Sequence, residues 1–391
     1  MIFTFSNTAK FLVGNRALDN LPYELKINNL KKPLIVSDDI SFRLDNVDLV
    51  KRALRLNEDI VEPVVYRKIV NVATTEKCED IARLYRKNSC DCIIAVGRKA
   101  LVEAVKGSKI LIVEDISFMN HYDNFAISNF VTKDVPLFII PTNTASGFEV
   151  RNNVRIRDEK ENKVYEFNTD YASTYEVIID PDMTDTIPQK AIVTATLYAL
   201  AMSIEVFASK DAVPIISTTY ASTALELIKD NWEKSIFKNS NVEYRTNIMQ
   251  AVVVAGAAFD MLKKTAIEII SDAISDRYKI DFRNVFAILF PHYLKKQQKG
   301  EKFGYALASL IDNDEYCMYS KQVRSQKVLD HIDSLYEKMY SYVDYYSKLS
   351  DIQTIKRDDL EEIADSIIAN YTSKELSMSK EEILEILVES F

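Results

Sequence analysis

Hydrophobic and polar positions follow different patterns in the two halves of the chain. In the first half, short apolar runs that end in polar residues alternate with stretches of helical period. The predicted strands are 33–38, 63–66, 91–97, 109–113 and 136–141, and the predicted helices are 46–56, 75–87 and 100–105. Strands interleaved with short helices favour a parallel sheet that is wrapped by helices. The first half is therefore predicted to be an α/β domain.

After Pro181, nearly every segment has helical period. The segments 191–208 and 249–274 are apolar almost all round, which is typical of buried helices, and 303–310 is a shorter helix. The C-terminal segment is charge-rich and amphipathic, and Ser379 begins its last helix with a capping signal. We place the domain boundary near residue 184. The chain is thus predicted to contain an α/β domain over 1–184 and an all-helical domain over 185–391.

Composition and charge narrow the functions that this fold can support. The net charge of −9 argues against a general binder of nucleic acid or of anionic membranes, and we predict no membrane segment and no signal peptide. Cys90 and Cys92 flank one aspartate, a spacing that fits neither a redox pair nor a zinc knuckle, so we predict reduced thiols in the cytoplasm. The chain has seven glycines, where about 27 would be usual, and only three histidines. The chain therefore has few places for a glycine-rich phosphate loop or a histidine-based metal site.

Several motifs occur in a fixed order from one end of the chain to the other. They are Gly14–Leu18, Ile35–Asp38, Ile140–Val150, Ile178–Thr184, Ile187–Pro188, Ala255–Phe259, Ile288–His292 and Met378–Leu384. In this order they resemble the iron-containing alcohol dehydrogenase family, in which Ile140–Val150 corresponds to the segment I-P-T-T-A-G-T-G-S-E-V.

The resemblance implies a fold and a function together. The expected fold is the dehydroquinate synthase-like fold of that family, with a parallel dinucleotide-binding-like sheet followed by an all-helical domain. The expected activity is NAD- or NADP-dependent oxidation of an alcohol, or reduction of an aldehyde, with a small-molecule substrate. Relatives of this kind commonly form dimers or larger homo-oligomers.

The loop that should hold the cofactor departs from the family pattern. The family has V-G-G-G-S-P-x-D-x-x-K after its third strand, whereas residues 96–106 here keep one glycine of three, Gly97. Arg98 and Lys99 stand where bare backbone should approach the pyrophosphate, and Phe148 replaces a serine in the second loop. The resemblance implies that the nucleotide contacts Asp38, Gly97, Arg98, Lys99, Thr142, Ser146 and Gly147. Arg98 and Lys99 also allow two other interpretations, a site for a phosphorylated small molecule and a solvated basic turn.

The positions that match the family's metal ligands also differ from the family. The family binds a divalent ion through one aspartate and three histidines. Counting from the matched motifs places these positions at Tyr198, Met202, Glu268 and Phe282, and none is of the family's residue type. A further family histidine, thought to relay protons, falls on Asp272. The three histidines of this chain lie elsewhere, at His121, His292 and His331.

Two interpretations of these replacements remain open at the level of sequence. In one, Met202 and Phe282 pack in the former site while Glu268 and Asp272 pair with Lys263 and Lys264. In the other, Glu268 and Asp272 bind Mg²⁺, with an oxygen from Tyr198.

We predict that the metal is absent and that the usual metal-dependent activity is lost. Three functional hypotheses follow. The chain is a divergent oxidoreductase with Tyr198 or Asp272 as proton donor or acceptor, a non-catalytic binding or regulatory subunit, or an enzyme of different chemistry on a phosphorylated small molecule.

Overall fold

The computed structural model describes residues 9–69, 72–114, 134–161, 163–185, 187–237, 242–262, 264–297, 299–371 and 376–391. The chain divides into two compact units, Met1–Ile187 and Pro188–Phe391. The first unit is an α/β unit and the second is helical, as predicted.

The first unit is built on a parallel sheet of six described strands. The strands of this unit are β1 (Lys10–Val13), β2 (Pro33–Asp38), β3 (Val64–Ile69), β4 (Cys92–Gly97), β5 (Leu137–Pro141), β6 (Asn153–Asp158), β7 (Lys163–Asn168) and β8 (Glu176–Ile179). The sheet has the order β1-β8-β5-β4-β2-β3, and every neighbouring pair in it is parallel. Strands β2, β4 and β5 are buried along their whole length, in keeping with their continuous apolar runs.

The order in which the chain adds strands across the sheet reverses between β2 and β4. From β2 the chain moves outward to β3, then crosses back to β4 and continues to β5 on the other side. In open α/β sheets, ligands bind outside the carboxyl ends of the strands at such a switch point. The residues at the ends of β2 and β4 are therefore the first place to look for a ligand site in this unit.

The described helices of this unit are α1 (Leu21–Ile27), α2 (Asp39–Arg43), α3 (Asn46–Leu54), α4 (Thr75–Lys87) and α5 (Lys99–Glu114). The strand predicted over 109–113 is wrong, because these residues form the second half of α5. Ile110 and Leu111 are apolar because this half of the helix is buried, and the buried Lys109 donates from Nζ to the Ser173 carbonyl at 2.7 Å. A short apolar run cannot distinguish a buried strand from a buried helix.

Strands β6 and β7 form an antiparallel hairpin that the sequence analysis did not predict. Buried side chains alternate along both strands with exposed or half-buried ones. The buried apolar residues are Val154 and Ile156 on β6, and Tyr165 and Phe167 on β7. The hairpin packs close to α5, since a Cβ atom on Gly107 would lie 2.9 Å from Ile156 Cδ1. The period-2 alternation was the signal that could have revealed it.

The second unit consists of helices and their connections throughout its described residues. They are α6 (Gln189–Ala208), α7 (Ile215–Ile236), α8 (Val242–Phe259), α9 (Ala266–Tyr278), α10 (Phe282–Lys296), α11 (Leu307–Leu310), α12 (Asn313–Met318), α13 (Lys321–Ser341), α14 (Asp359–Asn370) and α15 (Lys380–Glu389). The single helix predicted over 249–274 is wrong, because α8 ends at Phe259 and α9 begins after Thr265. The pair Thr265 and Glu268 has the spacing of a capping box, and this signal was overlooked.

Helix α6 is the most apolar long helix of this unit. By length and composition it could cross a membrane, but 94% of its most apolar 18-residue window is buried inside the structure. A helix that is hydrophobic all round and buried to this extent is a core helix.

A titratable side chain, Glu205, is buried near the end of α6. Its Oε1 atom accepts hydrogen bonds from Tyr293 Oη and Gln297 Nε2, each at 3.0 Å. Burial raises the pKa of Glu205 to about 7, although these two hydrogen bonds and Lys299 oppose the shift, and Glu268 adds to it. Glu205 is therefore protonated more readily in the folded unit than in the unfolded chain.

The pKa of Glu205 predicts a pH dependence of stability. Because folding raises its pKa, protonated Glu205 contributes to the free energy of unfolding. This contribution, up to about 3 kcal/mol, is complete below about pH 4.3 and is lost as pH rises through about 7. Glu205→Gln cannot ionise and should flatten this part of the profile. The free energy of unfolding in urea at pH 5 and pH 8, followed by fluorescence of the single tryptophan, Trp232 in α7, measures the difference. An unchanged difference between the two pH values in the variant would contradict the assignment.

Candidate functional site

Two places in the chain correspond to the predicted functional residues, and each lies within one unit. The first is the phosphate-loop position, residues 97–99, at the carboxyl end of β4. The second is the set of ligand positions, Tyr198, Met202, Glu268 and Phe282, in the helical unit.

Asp38 connects the two strand ends at the switch point of the sheet. Its Oδ1 atom accepts from the Ser41 backbone N–H at 2.8 Å, so the carboxylate caps α2. Its Oδ2 atom accepts from the backbone N–H of Arg98 at 3.0 Å and from Arg98 Nε at 3.2 Å. Asp38 is only 1% exposed. Both carboxylate oxygens are thus engaged within the unit, and the nucleotide contact that the resemblance implies for Asp38 requires Arg98 to move.

Gly97 has a clear structural reason to be the one glycine kept in this loop. A Cβ atom at this position would lie 2.5 Å from Asp38 Oδ2 and 2.9 Å from Leu101 Cδ2. A Cβ atom would therefore have to displace the Asp38 carboxylate or the Leu101 methyl group, whereas glycine lets both lie against the backbone. Gly97 therefore serves the contact between Asp38 and Arg98 in this structure.

Lys99, the first residue of α5, also has partners within the unit. Its Nζ atom lies 3.1 Å from Glu103 Oε1 and 4.5 Å from the centroid of the Phe148 ring. The Arg151 guanidinium lies 4.7 Å from the same centroid, so two cations contact one aromatic ring. Phe148 is buried. The bulky side chain that replaces a serine is thus packed into the loop beside the cationic side chains.

The second loop with predicted nucleotide contacts follows β5 and contains Thr142, Ser146 and Gly147. Its polar groups form hydrogen bonds with other residues of the unit. The backbone N–H of Ser146 and its Oγ hydroxyl each donate to Glu149 Oε1 at 2.9 Å. Gly147 has a φ of +77°, a left-handed conformation that favours glycine. Thr142 Oγ1 shares a hydrogen bond of 2.6 Å with Ser41 Oγ. These contacts hold the predicted residues Thr142, Ser146 and Gly147 near the strand ends.

Lys106 is a residue of this loop region to which the sequence analysis assigned no role. It is 1% exposed, and its Nζ atom donates to the backbone carbonyls of Phe148 at 2.8 Å and Glu149 at 3.3 Å, and to that of Arg151. One ammonium group therefore anchors the segment that carries Phe148. The lysine that ends the family's V-G-G-G-S-P-x-D-x-x-K pattern was the available signal.

The phosphate-loop position does not fit a pyrophosphate as it stands. A dinucleotide loop presents free backbone N–H groups at a helix N-terminus. Here the backbone N–H of Arg98 is bound to Asp38, and the Arg98 side chain lies over the same carboxylate. Binding of a nucleotide at this place requires the contact between Arg98 and Asp38 to open.

In the helical unit, the structure brings together two of the ligand positions that were counted from separate motifs. Tyr198 on α6 lies edge-to-face against Phe282, at the start of α10, with ring centroids 5.9 Å apart. It makes a second edge-to-face contact with Phe286 at 5.1 Å. Met202 lies one turn after Tyr198 on α6, and both side chains are fully buried. Aromatic rings and a thioether therefore fill this part of the core.

The two carboxylates of the predicted site take structural partners. Glu268 Oε2 accepts from the backbone N–H of Thr265 at 3.2 Å, at the start of α9. Asp272, one turn further along α9, lies 3.5 Å from Lys264 Nζ. The predicted pairing of Asp272 with Lys264 is confirmed, whereas Lys263 and His121 lie outside the described residues.

This set of side chains does not fit an iron or zinc ion. The four ligand positions offer a phenol, a thioether, a phenyl ring and one carboxylate that caps a helix, whereas iron and zinc sites use imidazole, carboxylate or thiolate groups. Throughout the described ranges, no three His, Cys, Asp or Glu side chains are grouped so that they could hold a metal ion. His292 lies elsewhere in the unit, 3.6 Å from Glu389.

Comparison with known proteins identifies the scaffold. The family model of iron-containing alcohol dehydrogenase matches residues 8–181, and that of the C-terminal domain of the Fe-containing alcohol dehydrogenase family matches residues 192–391. Long-chain-alcohol dehydrogenase 1 of Geobacillus thermodenitrificans is 26% identical over 72% of this chain and 70% of its own length. The 4-hydroxybutyrate dehydrogenase of Clostridium kluyveri is 24% identical over 84% and 85%.

Solved structures show the same fold over the whole chain. A 1,3-propanediol oxidoreductase superposes with a TM-score of 0.86, at 20% identity and full coverage of both chains. Sulfoacetaldehyde reductase of Bifidobacterium kashiwanohense, solved in complex with NAD⁺, gives a TM-score of 0.81 at 16% identity, with 100% of this chain and 99% of that chain covered. With family models matching both halves, this chain belongs to the iron-containing alcohol dehydrogenase family.

Proposed function

We propose that this chain does not carry out the metal-dependent oxidation of alcohols and acts as a non-catalytic binding or regulatory protein. The observation that supports this proposal most directly is the contact between Tyr198 and Phe282 at two of the ligand positions. A bound cation stabilises the negative charge of an alkoxide as a Lewis acid. The rings of Tyr198 and Phe282 and the thioether of Met202 do not supply the ligands that would hold such a cation.

A divergent oxidoreductase is the main alternative. The names of the relatives describe dehydrogenases and reductases, and one relative is an NAD-dependent methanol dehydrogenase of Bacillus methanolicus. In this chain, Tyr198 and Asp272 would then hold or transfer the proton. The fully buried Tyr198 is packed by two phenylalanine rings, and Asp272 is largely buried beside Lys264. Both arrangements support a packing role more than proton transfer to a substrate.

The third hypothesis assigns Arg98 and Lys99 to a phosphorylated small molecule. Both charges have carboxylate partners in this structure, Asp38 for Arg98 and Glu103 for Lys99. Compensated cations attract an anion less strongly than free ones. This compensation weighs against the hypothesis, which remains a separate outcome of the nucleotide titration below.

The remaining parts of the proposal concern partners and compartment. We expect a homo-oligomer, with a dimer as the simplest form, and no nucleic acid or membrane partner. The four cysteines are free thiols, three of them buried, which supports a reducing compartment such as the cytoplasm.

Metal analysis of the purified chain tests the loss of the cation site. Protein produced with added iron and zinc should contain well below one equivalent of either, and should not oxidise primary alcohols with NAD or NADP. Glu268→Gln is the matched control, because glutamine can still cap α9 but is a poorer metal ligand. One equivalent of iron or zinc in the wild-type chain that disappears in Glu268→Gln would overturn the proposal.

A calorimetric titration with NAD and NADP tests the closed phosphate-loop position. Arg98→Ala removes the side chain that lies on Asp38 and should bind NAD about tenfold more tightly than the wild type, since breaking a charged hydrogen bond costs about 1.5 kcal/mol or more. Arg83→Ala, which removes an exposed partner of Asp80 in the same unit, is the control and should leave binding unchanged. Micromolar binding by the wild type that weakens in Arg98→Ala would instead show that Arg98 binds an anion.

A further inference from the structure

The helical unit contains a cavity of about 610 Å³ that none of the predicted sites uses. It lies where α13 ends and the chain turns into the short 3₁₀ helix Leu349–Asp351. Its lining includes Lys190, Tyr340, Asp344, Tyr345, Tyr346 and Asp351. Its volume is in the range of small-molecule sites, which is about 300–1,000 Å³.

The wall of this cavity is held by contacts within the unit. Asp351 Oδ2 accepts from the backbone N–H groups of Ser347 and Lys348 at 2.8 and 2.9 Å. Leu349 is buried, and its N–H donates to the Ser390 carbonyl at 2.8 Å. The hydroxyl of Tyr345 accepts from Asn284 Nδ2 at 2.9 Å. The loop that forms the wall is thus fixed at several points.

Aromatic rings form one side of the cavity. Tyr345 and Tyr346 are stacked with their centroids 4.4 Å apart and an interplanar angle of 29°. The ammonium group of Lys190 lies 4.8 Å from the centroid of Tyr345, within the distance of a cation–π interaction. Tyr340 adds a third ring to the lining. A cation from the chain itself therefore already marks a favourable position for positive charge.

The charges of the lining also favour a cation. Two carboxylates, Asp344 and Asp351, face one ammonium group, that of Lys190. Asp344 is exposed and forms no ion pair with any residue that the structure describes. Burial raises the pKa of Tyr340, and the charge of Asp351 raises it further, so this phenol stays neutral. The cavity thus combines net negative charge with the faces of aromatic rings.

We propose that this cavity binds a small organic cation with a methylated ammonium head. The head lies against the Tyr345 ring in the place of the Lys190 ammonium, and Asp344 balances its charge. Lys190 is exposed, so its side chain can leave the ring for solvent. A methylated ammonium is less strongly hydrated than a lysine ammonium and competes well for an aromatic face.

The test measures binding of tetramethylammonium to the full chain through the broadening of its single proton NMR resonance. Wild-type protein should bind it, and Lys190→Met should bind it about tenfold more tightly because the competing cation is removed. Tyr345→Leu should bind about tenfold more weakly, whereas Tyr345→Phe keeps the ring and should bind like the wild type. tert-Butanol, a neutral molecule of similar size, should not bind.

The variants also control for loss of structure. Circular dichroism reports the fold of each, and the gain expected for Lys190→Met cannot arise from unfolding. Equal binding of tert-butanol would show an unselective apolar cavity and overturn the proposal. So would an absence of binding to both the wild type and Lys190→Met, or binding that is unchanged in a folded Tyr345→Leu.

Discussion

The packing of Tyr198, on α6, against the rings of α10 is the contact that most restricts the chemistry of the helical unit. A fully buried position must be filled, and the rings of Phe282 and Phe286 fill the space around Tyr198 at centroid distances of 5.9 and 5.1 Å. Edge-to-face aromatic contacts add about 0.5–1.5 kcal/mol each to the burial of the rings. A site that holds a cation needs polar groups directed at one point. At two of the ligand positions this chain has aromatic rings that pack against each other, an arrangement that favours a packed core over a cation site.

The α/β unit shows the same kind of replacement at the switch point of its sheet. The scaffold places the ends of β2 and β4 where a ligand usually binds. In this chain the two ends are joined by Asp38 and Arg98 instead, and Gly97 permits their close approach. The charged groups that a nucleotide would have to meet are therefore partners of one another. The sheet has the topology of a ligand-binding fold, while the charged groups at its switch point bond to one another.

The sequence predicted the parts of this structure that depend on long patterns or on ordered motifs. Helix 75–87, the strand over 91–97 and the two-part architecture follow from periodicity, and the matched motifs gave ligand positions of which Tyr198 and Phe282 do make contact. The prediction from sequence failed where contacts between residues distant in the chain override the local pattern. Residues 109–113 look like a strand because this part of α5 is apolar, and residues 109–111 are buried by tertiary packing. The roles of Lys106 and Asp38 depend on atoms distant in sequence, and a pattern along the chain does not contain them.

At the two altered places, each buried carboxylate of an ion pair lies beside a basic side chain. Arg98 lies on Asp38, Lys99 on Glu103, and Lys264 on Asp272. Removing one partner of a buried pair leaves an uncompensated charge, which costs several kcal/mol. The buried carboxylates Asp38, Glu103 and Asp272 each have a cation beside them, so their charges are compensated within their own unit. Such pairs stabilise both places with groups from the chain itself, which supports the proposed role in binding.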